Sequence, residues 1–162
     1  MRKVLLVMLL LCAGCVSRPD PDPAVMRTAA PPWDAPRDAV SYIDASGLEQ
    51  RPLGESTDPW IVELIVRVDG EPVDIPAMIG IDRLRAKQAV VHTHEAGGDV
   101  WLEGPDNGQA TLSHFFTLWG VEFDGECLAE RCNVEVLVDG EPASDPASVQ
   151  FRGHKVIEVR AS

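Results

Sequence analysis

The pattern of apolar and polar positions in the middle of the chain predicts a β-hairpin. The run V-H-T-H-E at 91–95 alternates, which places His92 and His94 on one face of a strand. The residues A-G-G at 96–98 tolerate the positive φ angles that a tight reversal needs. The run V-W-L at 100–102 then suits the returning strand.

Directly after this hairpin, the apolar period changes to that of a helix. Apolar residues recur at i, i+3, i+4 and i+7, as Leu112, Phe115, Phe116 and Trp119. Thr111 suits the N-cap, and Gly120 suits the left-handed position at the C-terminal end. A helix of about nine residues is unstable alone in water, so its apolar face must pack on the sheet.

Strand patterns lie on both sides of this unit. Trp60–Val68 alternates, with Val62, Leu64, Val66 and Val68 on one face. Further strands are predicted at Pro72–Ile81, Val121–Phe123, Val134–Val138, Val149–Phe151 and Lys155–Val159. We therefore predict a single α+β domain over 46–162, with a mostly antiparallel sheet and one short helix packed on it, similar to the β-grasp arrangement.

Two seven-residue segments of this domain resemble each other. The first reads V-R-V-D-G-E-P at 66–72, and the second reads V-L-V-D-G-E-P at 136–142. A duplicated strand-turn unit would explain the likeness, and so would convergent turn chemistry, since Asp-Gly is a preferred hairpin turn. The sequence leaves both explanations open.

The first fourteen residues have the pattern of a signal peptide. Arg2-Lys3 precedes an apolar run, and A-G-C at 13–15 ends it. This ending resembles a bacterial lipobox, although Cys12 stands where that motif usually has Leu. We predict a signal peptide over 1–14 and lipid attachment at Cys15, and an ordinary cleaved signal is the alternative. Two or more acyl chains would hold the protein stably on the outer face of a bacterial membrane.

The composition of residues 15–45 predicts an extended tether. Six prolines alternate with Asp, Ala and Arg between Pro19 and Pro36, which favours a polyproline-like chain over a packed element. Trp33 fits this setting poorly, and it would lie either at the bilayer interface or back on the domain.

The predicted export of the protein bears on the state of its remaining cysteines. With Cys12 removed and Cys15 lipidated, Cys127 and Cys132 remain, and an oxidising compartment favours a disulfide between them. A metal or redox pair is the alternative, but the spacing is not C-x-x-C.

Removal of 1–14 takes away Arg2 and Lys3, which leaves 12 basic and 26 acidic residues and a net charge of −14. Such a surface repels phosphate backbones, so nucleic acid is not expected as a partner.

From about Ser46 onward, the chain resembles a family of uncharacterised exported bacterial proteins. The shared motifs are V-D-G-E-P-V at 68–73, V-H-T-H-E at 91–95, T-L-S-H-F-F-T-L-W-G at 111–120, the cysteine pair, and V-L-V-D-G at 136–140. The family's pattern reads V-D-G-K-P-V, L-H-T-H-D and T-L-G-Q-F-F-D-x-W-G at the first three of these. Its additional histidines imply metal binding.

This chain lacks several of the histidines in that pattern. Pro59, Ile61 and Glu63 occupy the positions on the first strand, and Trp101 occupies the one on the returning hairpin strand. His92, His94 and Glu95 remain as candidate metal ligands, and a third ligand from Glu63 or Glu103 is conceivable. Copper or zinc would suit such a set. The alternative is a hydrogen-bonded remnant of a site that this chain has lost.

The remaining motifs do not favour catalysis. Ser113 and His114 are adjacent on the helix and point apart, and no phosphate-binding loop, H-E-x-x-H or nucleophile motif is present. His114 is expected to face solvent, and His154 to lie in a turn. The sequence therefore predicts a lipid-anchored cell-envelope protein with a non-catalytic domain that binds a ligand or an envelope protein partner. Transition-metal binding at His92 and His94 is the second hypothesis.

Overall fold

The computed structural model describes residues 18–54 and 58–162. In these ranges, the helices are α1 (Ala39–Ser46) and α2 (Leu112–Trp119). The strands are β1 (Arg51–Pro52), β2 (Trp60–Val68), β3 (Glu71–Pro72), β4 (Ile81–Asp82), β5 (Lys87–Gln88), β6 (Val91–His92), β7 (Asp99–Leu102), β8 (Val134–Val138), β9 (Glu141–Pro142) and β10 (Val156–Ala161). The predicted signal peptide and the predicted lipid site at Cys15 lie outside the described residues. Within them, neither helix has the length and apolar character that a membrane span requires.

The main sheet has the strand order β6-β7-β2-β10-β8-β9, and β3 pairs with the end of β2. The central pair β2–β10 is parallel, with Glu63 opposite Val156, and the other neighbours in this sheet are antiparallel. Helix α2 lies in the chain between β7 and β8 and packs on this sheet. The α+β class is confirmed, and the order β7-β2-β10-β8 around a parallel centre is β-grasp-like.

The alternation predicted for β2 is present in the fold. Val62, Leu64, Val66 and Val68 are buried, whereas Ile61 and Glu63 are exposed. The core beneath this face contains the apolar side of α2, where Phe115, Phe116 and Trp119 are fully buried. The prediction of a docked helix is therefore confirmed.

Both ends of α2 are capped by side chains or backbone that the sequence supplies. The Thr111 hydroxyl accepts from the backbone N–H of His114, and the His114 ring accepts from the N–H of Thr111 at 3.2 Å. This capping box satisfies two amides that no helical carbonyl reaches. Gly120 follows at φ 71°, as expected. The ring of His114, which we expected in solvent, is instead half-buried in this cap, and burial lowers its pKa.

The two similar segments form the same hairpin twice. Arg67 pairs with Pro72 and Val68 with Glu71, and Leu137 pairs with Pro142 and Val138 with Glu141. Asp69-Gly70 and Asp139-Gly140 all have positive φ, which is the requirement of the tightest hairpin turns. The shared residues thus encode a shared turn and register.

The expected tether differs most from the structure. Residues 19–38 run along the domain, where Arg27 pairs with Val121 as an isolated parallel bridge. The Arg27 guanidinium donates to the carbonyls of Gly120 and Trp119, which adds side-chain bonds to this backbone pairing. The proline content predicts extended chain correctly, but these contacts hold that chain on the domain.

Trp33 and α1 complete this packing. Trp33 is 3% exposed and stands edge-on to Trp119 with ring centroids 5.5 Å apart, and the Trp119 indole donates to the Trp33 carbonyl at 3.0 Å. In α1, Ala39, Val40 and Ile43 are buried against α2. Trp33 and α1, which precede the boundary predicted at residue 46, are therefore packed against α2.

A second, three-stranded sheet lies beside the main one, in the order β1-β5-β4. Of the strand predicted over Pro72–Ile81, only the two end residues lie in strands, and these belong to different sheets, Pro72 to β3 of the main sheet and Ile81 to β4 of this one. The chain leaves the main sheet after Pro72 because Pro76 cannot donate to a ladder and Met78 has φ 69°. This small sheet covers one face of the predicted hairpin.

The cysteine pair forms a disulfide, as predicted. Cys127 and Cys132 have Cα atoms 3.9 Å apart and are covalently linked. Leu128 inside the loop is fully buried, and Asp124 accepts from the amides of Glu126 and Cys127. The bridge closes a compact loop after α2.

Candidate metal site

The hairpin of β6 and β7 positions the histidine pair. Val91 pairs with Leu102, and both side chains are buried in the core. His92 is opposite Trp101 and therefore lies with it on the other face of the sheet. Pairing continues beyond the strands, because the Glu103 amide donates to the Val90 carbonyl at 2.8 Å. Glu103 consequently shares a face with Trp101 and His92.

Three ligand atoms converge on this face. The distance from His92 Nε2 to His94 Nε2 is 3.2 Å, and from His92 Nε2 to Glu103 Oε2 it is 3.5 Å. One ligand atom from each of the three residues lies within 4.8 Å of the others. Around a tetrahedral ion with bonds of about 2.0–2.1 Å, neighbouring ligand atoms are about 3.3 Å apart. The two His92 distances are therefore close to those of a metal ligand set.

The position of Glu95 differs from the prediction. Its side chain is exposed and lies outside the group of converging ligands, as does that of Glu63. Glu103 takes the third place because the strand register carries it back to His92. The sequence indicates this relation once His92 is paired with Trp101, because the residue two places beyond Trp101 then lies on the same face as His92.

The ring of His92 is held in one orientation. Its Nδ1 is 2.8 Å from the carbonyl oxygen of Ala89, so this nitrogen carries the proton and donates it. The neutral ring then presents the lone pair of Nε2 to His94 and Glu103. A backbone carbonyl on the distal nitrogen is the usual partner of a metal-binding histidine, because it fixes the tautomer and the ring orientation.

Gln88 holds the carboxylate in a similar way. Its amide nitrogen donates to Glu103 Oε2 at 3.3 Å, and its amide oxygen accepts from the Gly54 amide at 3.1 Å. Gln88 is buried in β5, so the small sheet supplies the orienting group. The ligand therefore comes from one sheet and its hydrogen-bond partner from the other.

Burial controls the electrostatics of the group. His92 is 0% exposed, and this desolvation lowers its pKa. The neighbouring His94 ring lowers the His92 pKa further. The carboxylate of Glu103 acts in the opposite direction but does not outweigh burial. A neutral His92 thus faces a carboxylate that is itself only 6% exposed. His92 Nε2 and Glu103 Oε2 are 3.5 Å apart, and the Nε2 lone pair is also 3.2 Å from His94 Nε2, whose hydrogen it can accept in the metal-free state.

The site is closed on one side and more open on the other. A Cβ atom on Gly80 would approach the Val91 carbonyl to 2.8 Å and His92 Cβ to 3.3 Å, so Gly80 permits the small sheet to pack closely. On the open side, half-buried His94 stands edge-on to half-buried Trp101 with ring centroids 5.0 Å apart. Ions and water would therefore reach the group past His94 and Trp101.

The other candidate residues have structural roles. His154 Nδ1 lies 3.0 Å from Asp139 Oδ2 at the second hairpin turn. The other oxygen of Asp139 accepts from the amides of Lys155 and Val156, and these bonds lower the Asp139 pKa to about 2. His154 thus lies at a turn, as predicted, and stabilises the start of β10.

Comparison of the chain with models of protein families, with curated proteins and with solved structures finds no match. The geometry of His92, His94 and Glu103 is therefore the main guide to function.

Proposed function

We propose that this chain is an exported, lipid-anchored envelope protein whose domain binds a divalent transition metal at His92, His94 and Glu103. One observation carries the proposal: two imidazole nitrogens and one carboxylate oxygen converge at the spacing of a metal ligand set. The third ligand is Glu103 and not Glu95, because the strand register places Glu103 beside His92.

The ligand types indicate which metal the site would hold. Imidazole suits copper, zinc and nickel, and affinities of divalent ions for a given site peak at copper(II). Two histidines and one carboxylate supply three donors, whereas a structural zinc site usually has four. Such a site would leave a position for water or another ligand. This favours a protein that holds and exchanges an ion over one that uses the ion to fold.

The orienting contacts of His92 are those of a metal-binding histidine. Its proton goes to the Ala89 carbonyl, so its Nε2 lone pair faces His94 Nε2 at 3.2 Å and the Glu103 carboxylate at 3.5 Å. Without a metal, the Nε2–H of His94 can donate to this lone pair. A bound ion would take the place of that hydrogen and would contact both rings and the carboxylate.

Isothermal titration calorimetry with copper(II) and zinc at neutral pH tests the metal site. We expect binding by the wild-type domain and a loss of at least tenfold in affinity for Glu103→Gln. Glu95→Gln is the matched control, because it removes the same charge eight residues away from an exposed position. A His92→Ala, His94→Ala double variant should not bind. Wild-type affinity weaker than about 10 μM, near 7 kcal/mol, would refute the proposal.

The anchor is tested separately. The A-G-C ending of the apolar run supports lipid attachment at Cys15. The variant Cys15→Ser should leave the membrane fraction or accumulate as an unprocessed precursor, as followed by fractionation and intact mass. Normal processing with membrane retention would overturn the assignment without affecting the metal proposal.

A further inference from the structure

The first described residues are attached to the domain almost at once. The guanidinium of Arg85 donates to the Pro19 carbonyl at 3.1 Å, and the same side chain bonds Asp38 at 3.0 Å and Asp82 at 3.1 Å. The Asp82 side chain is 1% exposed, so Arg85 neutralises a buried charge while it holds the N-terminal segment. This contact is therefore built into the domain.

Further bonds hold the segment along its length. The amide of Asp22 donates to an Asp38 carboxylate oxygen at 3.4 Å. The hydroxyl of Tyr42 exchanges bonds with the amide and carbonyl of Val25 at 3.3 and 3.2 Å. From Pro19 to the Arg27 pairing with Val121, the segment follows the domain surface and cannot act as a spacer.

The free length between Cys15 and the domain is therefore short. Arg18 follows Cys15 by three positions, with two residues between them, and a fully extended chain spans at most about 3.6 Å per residue. The Cα atom of Arg18 thus lies within about 11 Å of that of Cys15. A lipid on Cys15 would keep the contact at Arg85 close to the headgroups.

The surface beside this contact suits a bilayer. Leu84 lies in the turn between β4 and β5 and is 65% exposed, and Arg83 precedes it. Arg18 and Arg37 are exposed and border the same surface groove as Leu84, together with the exposed Asp20 and Asp22. Arginine stems and a leucine at one turn can enter the interface while the guanidinium groups reach phosphates. Without residues 1–14 the chain has a net charge of −14, so anionic headgroups would repel the domain as a whole and favour contact only where arginines are exposed.

We propose that the lipidated protein lies directly against its membrane, with the turn that contains Leu84 facing the headgroups. The proposal rests on the lipid anchor proposed above, and it replaces the flexible tether that the sequence suggested. The occupant of this face is the bilayer surface. The short connection and the contact at Arg85 determine which side of the domain faces it.

Depth-dependent fluorescence quenching tests this orientation. The lipidated protein is placed in vesicles of equal parts phosphatidylcholine and phosphatidylglycerol that carry a nitroxide-labelled lipid. An environment-sensitive dye is attached at Leu84→Cys, and at Glu141→Cys as the control, since Glu141 is exposed on β9 at the far edge of the sheet. We expect quenching at least threefold stronger at position 84.

A length variant separates the short connection from other causes. A Gly-Ser segment of about twenty residues, inserted after Ser17, has a mean span of about 25 Å and leaves the fold unchanged. Quenching at position 84 should fall toward that at 141 in this variant. Equal quenching at the two positions without the insertion would overturn the proposal, and so would undiminished quenching with it.

Intact mass measured before reconstitution verifies the acyl chains. A failure of lipidation is thereby distinguished from a failure of orientation, and the metal titration is independent of both.

Discussion

Replacement of Trp33 by alanine decides between the packed N-terminal segment and a free tether. Trp33 is 3% exposed, packs edge-on against Trp119, and accepts a hydrogen bond from the Trp119 indole through its carbonyl. Its own indole donates to the Ala29 carbonyl at 2.8 Å. The substitution removes the ring and leaves the backbone contact, so it creates a cavity beside Trp119.

The expected cost follows from this burial. A buried Trp→Ala substitution destabilises a domain by about 3–5 kcal/mol, because the transfer free energy is lost and the cavity collapses only partly. For a domain of this size, about 1 kcal/mol shifts the thermal midpoint by about 2–4 °C. We therefore expect Trp33→Ala to lower the midpoint by about 6–20 °C.

The assay is thermal and urea unfolding of the unlipidated chain, followed by circular dichroism. Val25→Ala is the control, since Val25 belongs to the same segment but is 68% exposed. Its midpoint should change by no more than about 1–2 °C, as for most surface substitutions. A Trp33→Ala variant that loses less than about 1 kcal/mol would refute the packing of this segment on α2.

Three further predictions follow from the core and from the titrating groups. Phe115→Ala should cost about 3–5 kcal/mol in urea unfolding, because its ring is fully buried on the core face of α2, beside Phe151. A cost below about 1 kcal/mol would show that this face is not buried. Burial lowers the pKa of His92, so the unfolded chain takes up a proton more readily than the folded one, and the metal-free domain should lose stability as pH falls below about 6.5. The thermal midpoint, plotted against pH, should fall less steeply in His92→Gln than in the wild type. An equal slope in both would show that His92 is not the group responsible. The pKa of Asp139 is lowered to about 2, so its contribution to folding stability is fully present above the ordinary pKa of 3.8 and is lost as pH falls toward 2. The difference in thermal midpoint between the wild type and Asp139→Asn should therefore shrink over this pH range. A difference that widened would contradict the prediction.

Local patterns were sufficient for the elements whose partners are close in sequence. The caps and apolar spacing of α2 were visible in Thr111 and Gly120, and the Asp-Gly turns predicted their hairpins. The alternation of apolar residues in β2 correctly predicted which face of the strand is buried. In each case the deciding interaction lies within a few residues.

The N-terminal segment could not be placed by the same reasoning. Its proline content describes backbone conformation, and extended chain is compatible with both solvent and a packed surface. Helix α1 carries its signal in Ala39, Val40 and Ile43, with Gly47 at φ 76° beyond its end, but its partner α2 is far away in sequence. Burial of Trp33 depends on that tertiary contact.

Part of the proposed metal-ligand group could be predicted from the sequence. The pair His92 and His94 follows from strand alternation, but the third ligand required the register of β6 against β7. Glu95 is adjacent in sequence and was therefore preferred, whereas Glu103 reaches the site through the pairing of its amide with Val90. The orienting role of Gln88 depends on the second sheet, which no local sequence pattern predicted.

The parallel pairing of β2 with β10 has a consequence for the order of folding. The two central strands are about ninety residues apart in the chain, and the sheet has no centre until Glu63 pairs with Val156. Contacts between such distant segments are formed late, because the intervening chain must be closed into a loop before they contribute. A nascent chain would thus stay unfolded until its last strand is delivered, which would suit the export proposed above. Loss of Val156–Ala161 would prevent folding of the whole domain and not merely shorten an edge.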